Sequence, residues 1–333
     1  QPFIGGWSQV FLFKMDAERL VGSIPESVFS MYHLTIGIFA PALIIGSLAE
    51  RARFFPLLLF CALWELFVYV PVCHWIWGGG WLADLGLIDF AGGLVVHGNA
   101  GVAALVGASF LGPRRGFPNS PLMPHNLTMT AIGAGILWVG WHGFSAGSAL
   151  MASGAAGMAM LSTHICASAA SVTWIMLDWL KFGKPSVLGA MTGMVAGLGM
   201  VAAGAGYMTP ASALFIGIIA GIACFYSIQF IKQKLIIDDA LDVFPVHGVS
   251  GVMGALLTAI FASEIFGGTG AMEGIGHQFL VQSLGAISVI LWSAFISYLL
   301  FKLIDLTIGF RVSEEAEIGG LDIALHDEKG YNL

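Results

Sequence analysis

The sequence predicts an all-α, polytopic membrane protein, and its composition and residue patterning both support this. Hydrophobic residues make up 57% of the 333 positions and charged residues only 10%, whereas soluble domains carry roughly 25% charge. Long segments contain no Asp, Glu, Lys or Arg, as between Arg115 and Asp178 or between Lys184 and Lys232. Glycine recurs inside the apolar segments beside Ala and Ser, which is typical of helices that pack closely in lipid.

An apolar segment of about 20 residues is long enough to cross a bilayer as a helix. The apolar segments and the residues that interrupt them predict nine spanning helices, at about 24–49, 54–77, 90–112, 126–148, 151–180, 186–206, 210–231, 246–263 and 277–308. These helices form one transmembrane domain, 24–308. It lies between an N-terminal segment, 1–23, and a polar C-terminal tail, 309–333.

Basic residues predict the orientation of these helices, because Lys and Arg collect on the cytoplasmic side of a membrane. Most of them fall at every second helix junction, namely Arg51, Arg53, Arg114, Arg115, Lys181, Lys184, Lys232, Lys234, Lys302 and Arg311. Lys14 and Arg19 lie on the opposite side. The sequence therefore predicts a multi-pass protein of the cell membrane, in contact with the lipid bilayer, with an external N-terminal segment and a cytoplasmic C-terminus.

Charge and cysteine usage exclude several other classes of protein. The net charge is −7, and no basic patch indicates binding to nucleic acid. Cys61, Cys73, Cys166 and Cys224 stand singly in apolar segments without the spacing of metal ligands. We therefore expect neither a metal site nor a cofactor.

Two predicted helices share the pattern VHGxxGV, which begins at Val96 in one and at Val246 in the other. An aspartate precedes each pattern, Asp89 in the first and Asp242 in the second. The first of these helices runs inward and the second outward, which predicts an inverted repeat with a transport path at its interface. Four helices separate the pair, so the repeat unit has five helices. On this count the chain lacks two N-terminal helices of the symmetric arrangement.

The pattern places His97 and His247 inside apolar segments, where a histidine is costly and normally faces a cavity or a partner. A core histidine bonded to a neighbouring helix is the alternative for each. Repetition in the same glycine-rich frame favours a functional pair instead. Inverted symmetry would bring both imidazoles together near mid-membrane, where they could share a proton.

Several motifs, in order along the chain, resemble those of the Amt/Mep/Rh ammonium transporters. They are Ala49-Glu50-Arg51, Trp77-Gly78-Gly79-Gly80, Asp89-Phe90-Ala91-Gly92-Gly93, Pro124-His125-Asn126-Leu127, Gly143-Phe144-Ser145-Ala146-Gly147-Ser148, Asp242-Val243-Phe244-Pro245-Val246-His247-Gly248 and Gly320-Leu321-Asp322. Members of that family have eleven spanning helices, so this chain resembles helices three to eleven. The resemblance implies the ammonium-transporter fold with inverted five-helix repeats.

The resemblance also implies a substrate site at the external end of the pore. It assigns Trp77 and Ser148 to external ammonium binding, and Asp89 to the acid near the pore entrance that organises the site. An aromatic face and a hydroxyl can attract a small cation. The dry pore beyond penalises any charge, so ammonium would be deprotonated and would pass as ammonia, with separate proton transfer.

Four residues are implied to line the pore. His97 and His247 match the twin histidines of the family, and Phe144 matches the inner phenylalanine of its gate. The outer phenylalanine aligns without gaps to Ile36, which supplies no aromatic face and predicts an altered gate.

The resemblance implies a homotrimer whose tail meets a PII-type signalling protein. It does not imply an enzyme. Two alternatives to transport remain: a receptor of the same fold that binds ammonium without conducting it, and an intramembrane metalloenzyme that uses the histidines as ligands.

Overall fold

The computed structural model describes residues 1–120, 122–270 and 272–331, so the last two residues of the predicted tail lie outside the described residues. A short antiparallel pair of strands, β1 (Leu20–Val21) and β2 (Ile24–Pro25), precedes the helical domain. The helices are α1 (Glu26–Leu48), α2 (Phe54–Trp64), α3 (Val70–Trp77), α4 (Trp81–Asp84), α5 (Asn99–Leu111), α6 (Leu127–Gly147), α7 (Gly154–Phe182), α8 (Val187–Val201), α9 (Pro210–Gln229), α10 (Ser250–Phe261), α11 (Ile275–Ile308), α12 (Glu314–Gly319) and α13 (Leu321–His326).

Each of the nine predicted spanning segments is helical, with ends that differ by a few residues. Within the described residues, seven helical segments are long and apolar enough to cross a membrane. Segments α6 and α8 fill the remaining predicted positions, and α8 is shorter, at 15 residues. The protein is therefore a multi-pass helical membrane protein.

Among the described residues, four π-helical stretches lie within or at the ends of the spanning segments, at Glu65–Tyr69, Gly93–Gly98, Phe230–Lys234 and Phe244–Val249. Such stretches are rare and are frequently found at functional sites. The second and fourth carry His97 and His247 and lead directly into α5 and α10. The two histidines therefore lie at equivalent places in two oppositely directed helices.

Glycines let these two helices cross with their backbones in contact. A methyl group added to Gly101 would collide with the backbone of Gly248, and one added to Gly251 would collide with the backbone of Gly93 and Gly98. Close approach of this kind is the main use of small residues between helices in lipid. The crossing fixes the distance between the two histidine-bearing segments.

At one end of the bundle, the loops after α1, α5 and α9 meet around buried charges. Asp238 accepts hydrogen bonds from the Arg114 side chain at 2.9 Å, and the carbonyl of Asp238 accepts another from Arg51 at 2.6 Å. The tail packs on the same end, because Arg311 donates to the carbonyl oxygens of Leu111 and Pro113. This polar cluster anchors the loop that leads into the His247 segment.

Glu65 is an ionisable residue inside a spanning segment, and such residues are functional candidates by default. Its Oε1 would lie 2.8 Å from a Cβ added to Gly37 on α1. Its Oε2 has no hydrogen-bond partner within the described parts of the chain. Gly37 thus provides the space in which this carboxyl packs between α1 and α2.

Candidate functional site

The two predicted histidines form a buried pair at the crossing of the α5 and α10 segments. The Nδ1 atoms of His97 and His247 are 3.2 Å apart, and the rings stack with centroids 5.2 Å apart at an interplanar angle of 16°. His97 is fully buried and His247 is 8% exposed. If both rings are neutral, one Nδ1 donates and the other accepts, so the two histidines hold opposite tautomers.

Aromatic side chains enclose His97. Trp141 stacks on it with centroids 5.2 Å apart at 11°, and Phe144 presents an edge at 6.4 Å. His97 Nε2 is buried and has no hydrogen-bond partner among the residues that the structure describes. One polar atom of the pair is therefore free to meet a small molecule that reaches it.

Asp89 caps the opening of the α5 segment. Its two carboxylate oxygens accept hydrogen bonds from four consecutive backbone N–H groups, at 2.6 to 3.0 Å, which are those of Gly92, Gly93, Leu94 and Val95. Burial raises the pKa of the Asp89 carboxyl, and the four donated bonds favour the ionised form and oppose that rise. Asp89 is thus a positioning residue for the segment that carries His97.

The turn before this segment requires glycine at position 92. Gly92 has φ +94°, a conformation that costs little only without a side chain. A Cβ at this position would also lie 2.6 Å from the Val96 side chain and 3.2 Å from the Trp77 ring. Trp77 is itself fixed, because its Nε1 donates to the carbonyl oxygen of Asp89 at 2.6 Å.

The N-terminal end of α1 lies between the predicted substrate-binding residues Trp77 and Ser148. Tyr32 Oη lies 2.7 Å from Ser148 Oγ and donates to the carbonyl oxygen of Phe144 at 2.7 Å. The adjacent His33 meets the edge of Trp77 with ring centroids 6.2 Å apart. Ser148 also donates to the Phe144 carbonyl. The sequence reasoning missed Tyr32, although it lies one helical turn before Ile36 and could have been found by that spacing.

A cavity of about 330 Å³ lies between α1 and α6 beside these residues. Its lining residues are Tyr32, Thr35, Ile36, Phe39, Leu137, Gly140, Trp141, Gly143 and Phe144. Ile36 is only 2% exposed and brings no aromatic ring to the wall. Phe39, one turn further along the same face, does bring one, with centroids 6.2 Å from His97 and 6.1 Å from Phe144.

At the opening of the His247 segment, the structural counterpart of Asp89 is Asp239 and not Asp242, the aspartate noted in the sequence. Asp239 precedes His247 by the same number of residues as Asp89 precedes His97, and its Oδ2 accepts the backbone N–H of Phe244 at 2.7 Å. Asp242 instead pairs with Lys232 at 2.7 Å.

Metal binding finds little support in this geometry. The described residues contain no group of three or more His, Cys, Asp or Glu placed to hold a metal ion. The histidine pair offers two ligands, whereas zinc sites in proteins use three or four.

Comparison with known proteins agrees with the arrangement of these residues. The family model described as Ammonium Transporter Family matches residues 2–331. The ammonium transporter of Aquifex aeolicus (strain VF5) is 47% identical over 310 residues, which is 93% of this chain and 72% of that protein. The ammonium transporter of Bacillus subtilis (strain 168) is 40% identical over 334 residues, which is 98% of this chain and 82% of that protein.

Solved structures resemble the fold closely. A structure described as a Sensor Amt Protein matches with a TM-score of 0.85 at 33% identity, over 90% of this chain and 76% of that one. The crystal structure of Candida albicans Mep2 matches with a TM-score of 0.88 at 30% identity, over 100% of this chain and 78% of that one. The sequence match, the fold and the relatives agree: this chain belongs to the ammonium transporter family, which is a family of transporters rather than of enzymes.

Proposed function

We propose that the protein carries ammonium across the membrane by deprotonation, passage of ammonia and separate proton transfer along the histidine pair. The observation that carries this proposal is the 3.2 Å contact between His97 Nδ1 and His247 Nδ1 in a buried, aromatic-walled site. A pair of imidazoles in contact offers a donor and an acceptor on one line. Such a line can hand on a proton while the neutral molecule passes beside it.

The outer end of the path suits a small cation. The Trp77 ring and the hydroxyls of Ser148 and Tyr32 lie around the outer part of α1. Contact with an aromatic face stabilises a cation by about 0.5 to 2 kcal/mol. Hydroxyl oxygens can accept hydrogen bonds from the N–H groups of ammonium. Ammonium would be recruited at this site.

Beyond that site the path is lined by the aromatic rings of Phe39, Phe144 and Trp141, followed by the histidines. An ion in such surroundings loses its hydration without full compensation. Ammonium can leave its proton behind, whereas a potassium ion of similar size cannot. The passage therefore selects by chemistry rather than by size.

Asp89 supports recruitment in two ways. Its four backbone hydrogen bonds hold the His97 segment in place, and its carbonyl oxygen holds Trp77. A carboxylate near the entrance also favours a cation by charge. We assign it to organising the site rather than to direct binding.

The orientation follows from the distribution of charge. The arginine cluster around Arg51, Arg114 and Arg311 lies at one end of the bundle, which we place in the cytoplasm by the positive-inside rule. The N-terminal segment, 1–23, is then external, and the tail, 309–333, is cytoplasmic. We further propose, from the family alone, a homotrimer and a PII-type partner at this tail.

A transport assay tests the proposal. The full-length gene product in proteoliposomes should take up methylammonium and give an ammonium-dependent current. His97→Ala and His247→Ala should change flux and proton coupling together, because each removes half of the proton line. If both variants take up methylammonium and couple it to protons as the wild type does, the assigned path is wrong.

A receptor that binds ammonium without conducting it is the second candidate. One observation favours keeping it: a solved structure described as a Sensor Amt Protein matches this chain with a TM-score of 0.85. The same proteoliposomes separate the two functions. Saturable ammonium binding without flux would indicate the receptor.

A further inference from the structure

We infer that Phe39 is the outer aromatic residue that closes the passage to the histidines in this chain, a specificity role that neither the motifs nor the alignment assigns to it. The inference deepens the proposed transport function and rests on it. Its basis is the set of contacts that one ring makes inside the site.

The Phe39 ring contacts every aromatic wall of the histidine site. Its centroid lies 5.6 Å from Trp141 at an interplanar angle of 90°, 6.1 Å from Phe144 and 6.2 Å from His97 at 79°. These distances and tilted angles are those of favourable aromatic pairs. The ring is thus held in one position in front of His97.

The position of Phe39 also explains how the chain tolerates isoleucine at position 36. Both residues lie on the same face of α1, because residues three apart in a helix are neighbours, and both line the cavity between α1 and α6. Ile36 is the more deeply buried and packs beside the passage. The aromatic contact that position 36 lacks is made one turn deeper, against His97 itself.

A purely structural role would fit less well. Phe39 is half-buried and faces the cavity, whereas rings that only fill the core, such as Phe60, are fully buried. The imidazole that it contacts has a buried polar atom, His97 Nε2, with no hydrogen-bond partner among the described residues. Water that reached this atom could hydrate an ion there and weaken the selection against charge.

Two readouts test the role, one by transport and one by chemical access. In proteoliposomes, Phe39→Ala should lower the preference for ammonium over potassium by about tenfold, the discrimination expected from loss of a few well-placed pocket groups. Diethyl pyrocarbonate should modify His97 about tenfold faster in Phe39→Ala than in the wild type, measured by peptide mass, because protection scales with closure of the site. Phe39→Leu, which keeps much of the side-chain volume without a ring, should give values of both readouts between those of Phe39→Ala and the wild type.

The rescue and the control make the result specific. Ile36→Phe combined with Phe39→Ala should restore both selectivity and His97 protection, because it returns a ring to the same face of α1. Phe110→Ala removes a ring that contacts Phe301 and Tyr298 instead of the site, and should leave both readouts near wild type. Equal His97 reactivity in Phe39→Ala and Phe110→Ala, or a selectivity loss that Ile36→Phe does not repair, would overturn the inference. Absence of flux in the wild type would count against the transport proposal alone, because the modification of His97 is measured without transport.

Discussion

The two openings that lead to His97 and His247 share a sequence pattern but are stabilised differently. At the His97 opening, which is the outer one in the orientation proposed above, one carboxylate, Asp89, binds four backbone N–H groups. At the inner opening Asp239 binds one N–H of the helix, that of Phe244, and the preceding loop is held by ion pairs instead. The outer segment is thus fixed by backbone geometry, and the inner one by buried charges whose ionisation depends on pH.

A single residue accounts for part of this difference. At the outer opening, the N–H of Val95 donates a hydrogen bond to Asp89. The equivalent position at the inner opening is Pro245. Proline has no N–H to donate. Leu94 and Val95 share one oxygen of Asp89, whereas the corresponding oxygen of Asp239, Oδ2, accepts only the N–H of Phe244.

Asp89→Asn should have the largest effect and tests the outer half of the comparison. Asparagine replaces one carboxylate oxygen by an NH2 group that cannot accept the two backbone N–H groups bonded there. A buried donor left unpaired costs about 1 to 3 kcal/mol, so the free energy of unfolding should fall by about 4 kcal/mol. Ammonium uptake should fall by more than about tenfold as the His97 segment loses its cap. Thermal unfolding in detergent and uptake in proteoliposomes measure the two effects.

Asp239→Asn is the matched control for that substitution. With one helix N–H to lose, it should lower the free energy of unfolding by about 1 kcal/mol. An equal loss of stability in the two variants would contradict the asymmetry between the openings.

Asp238→Asn should have the next largest effect and tests the charged anchor of the inner loop. Burial raises the pKa of the Asp238 carboxyl, but hydrogen bonds from Arg114 and the charges of Arg114 and Arg51 outweigh it and lower the pKa overall. Neutralising the carboxyl leaves Arg51 buried without its partner charge, which should lower the free energy of unfolding by about 3 kcal/mol. Urea or thermal unfolding at neutral pH measures it.

The pH profile gives a second check on Asp238. Its stabilising contribution should be complete above the usual aspartate pKa and should be lost as the pH falls through the lowered pKa of the folded state. Asp238→Asn should remove this acid dependence. A wild-type stability that does not change in acid would show that the anchor does not depend on this carboxylate.

The sequence predicted the helices and the histidine pair because both depend on local patterns. Apolar length marks a spanning helix, and the repeated VHGxxGV frame singled out His97 and His247 from the other histidines. The π-helical openings were not predictable, because they form where two glycine-rich segments cross in space. Phe39 was missed for a related reason: a gap-free alignment points to position 36, and only packing shows which ring reaches His97.

Asp242 should have a smaller effect on the free energy of unfolding than Asp238, with a pH dependence of opposite sign. Burial raises the pKa of Asp242 to about 6, and the charge of Lys232 opposes the rise. An acid with a raised pKa favours the folded state when protonated, so this contribution is complete below the usual pKa and is lost as the pH rises to about 6. The loss should be on the order of 2 kcal/mol. Asp242→Asn should flatten the unfolding profile over this range, and an unchanged profile would refute the assignment.

Pro245→Ala should have the smallest effect and bears most directly on why the two openings differ. Alanine restores an N–H at the position equivalent to Val95, where it can donate to Asp239 Oδ2 beside the N–H of Phe244. The added bond should contribute about 1 kcal/mol, and the greater freedom of the unfolded chain without proline should offset about 0.4 to 1 kcal/mol of it. Stability should therefore change little. The informative measurement is the titration of Asp239, whose pKa burial raises in the wild type: an added donor should lower it. If that pKa stays the same in Pro245→Ala, the missing N–H is not the cause of the difference, and the charges of the inner loop alone must explain it.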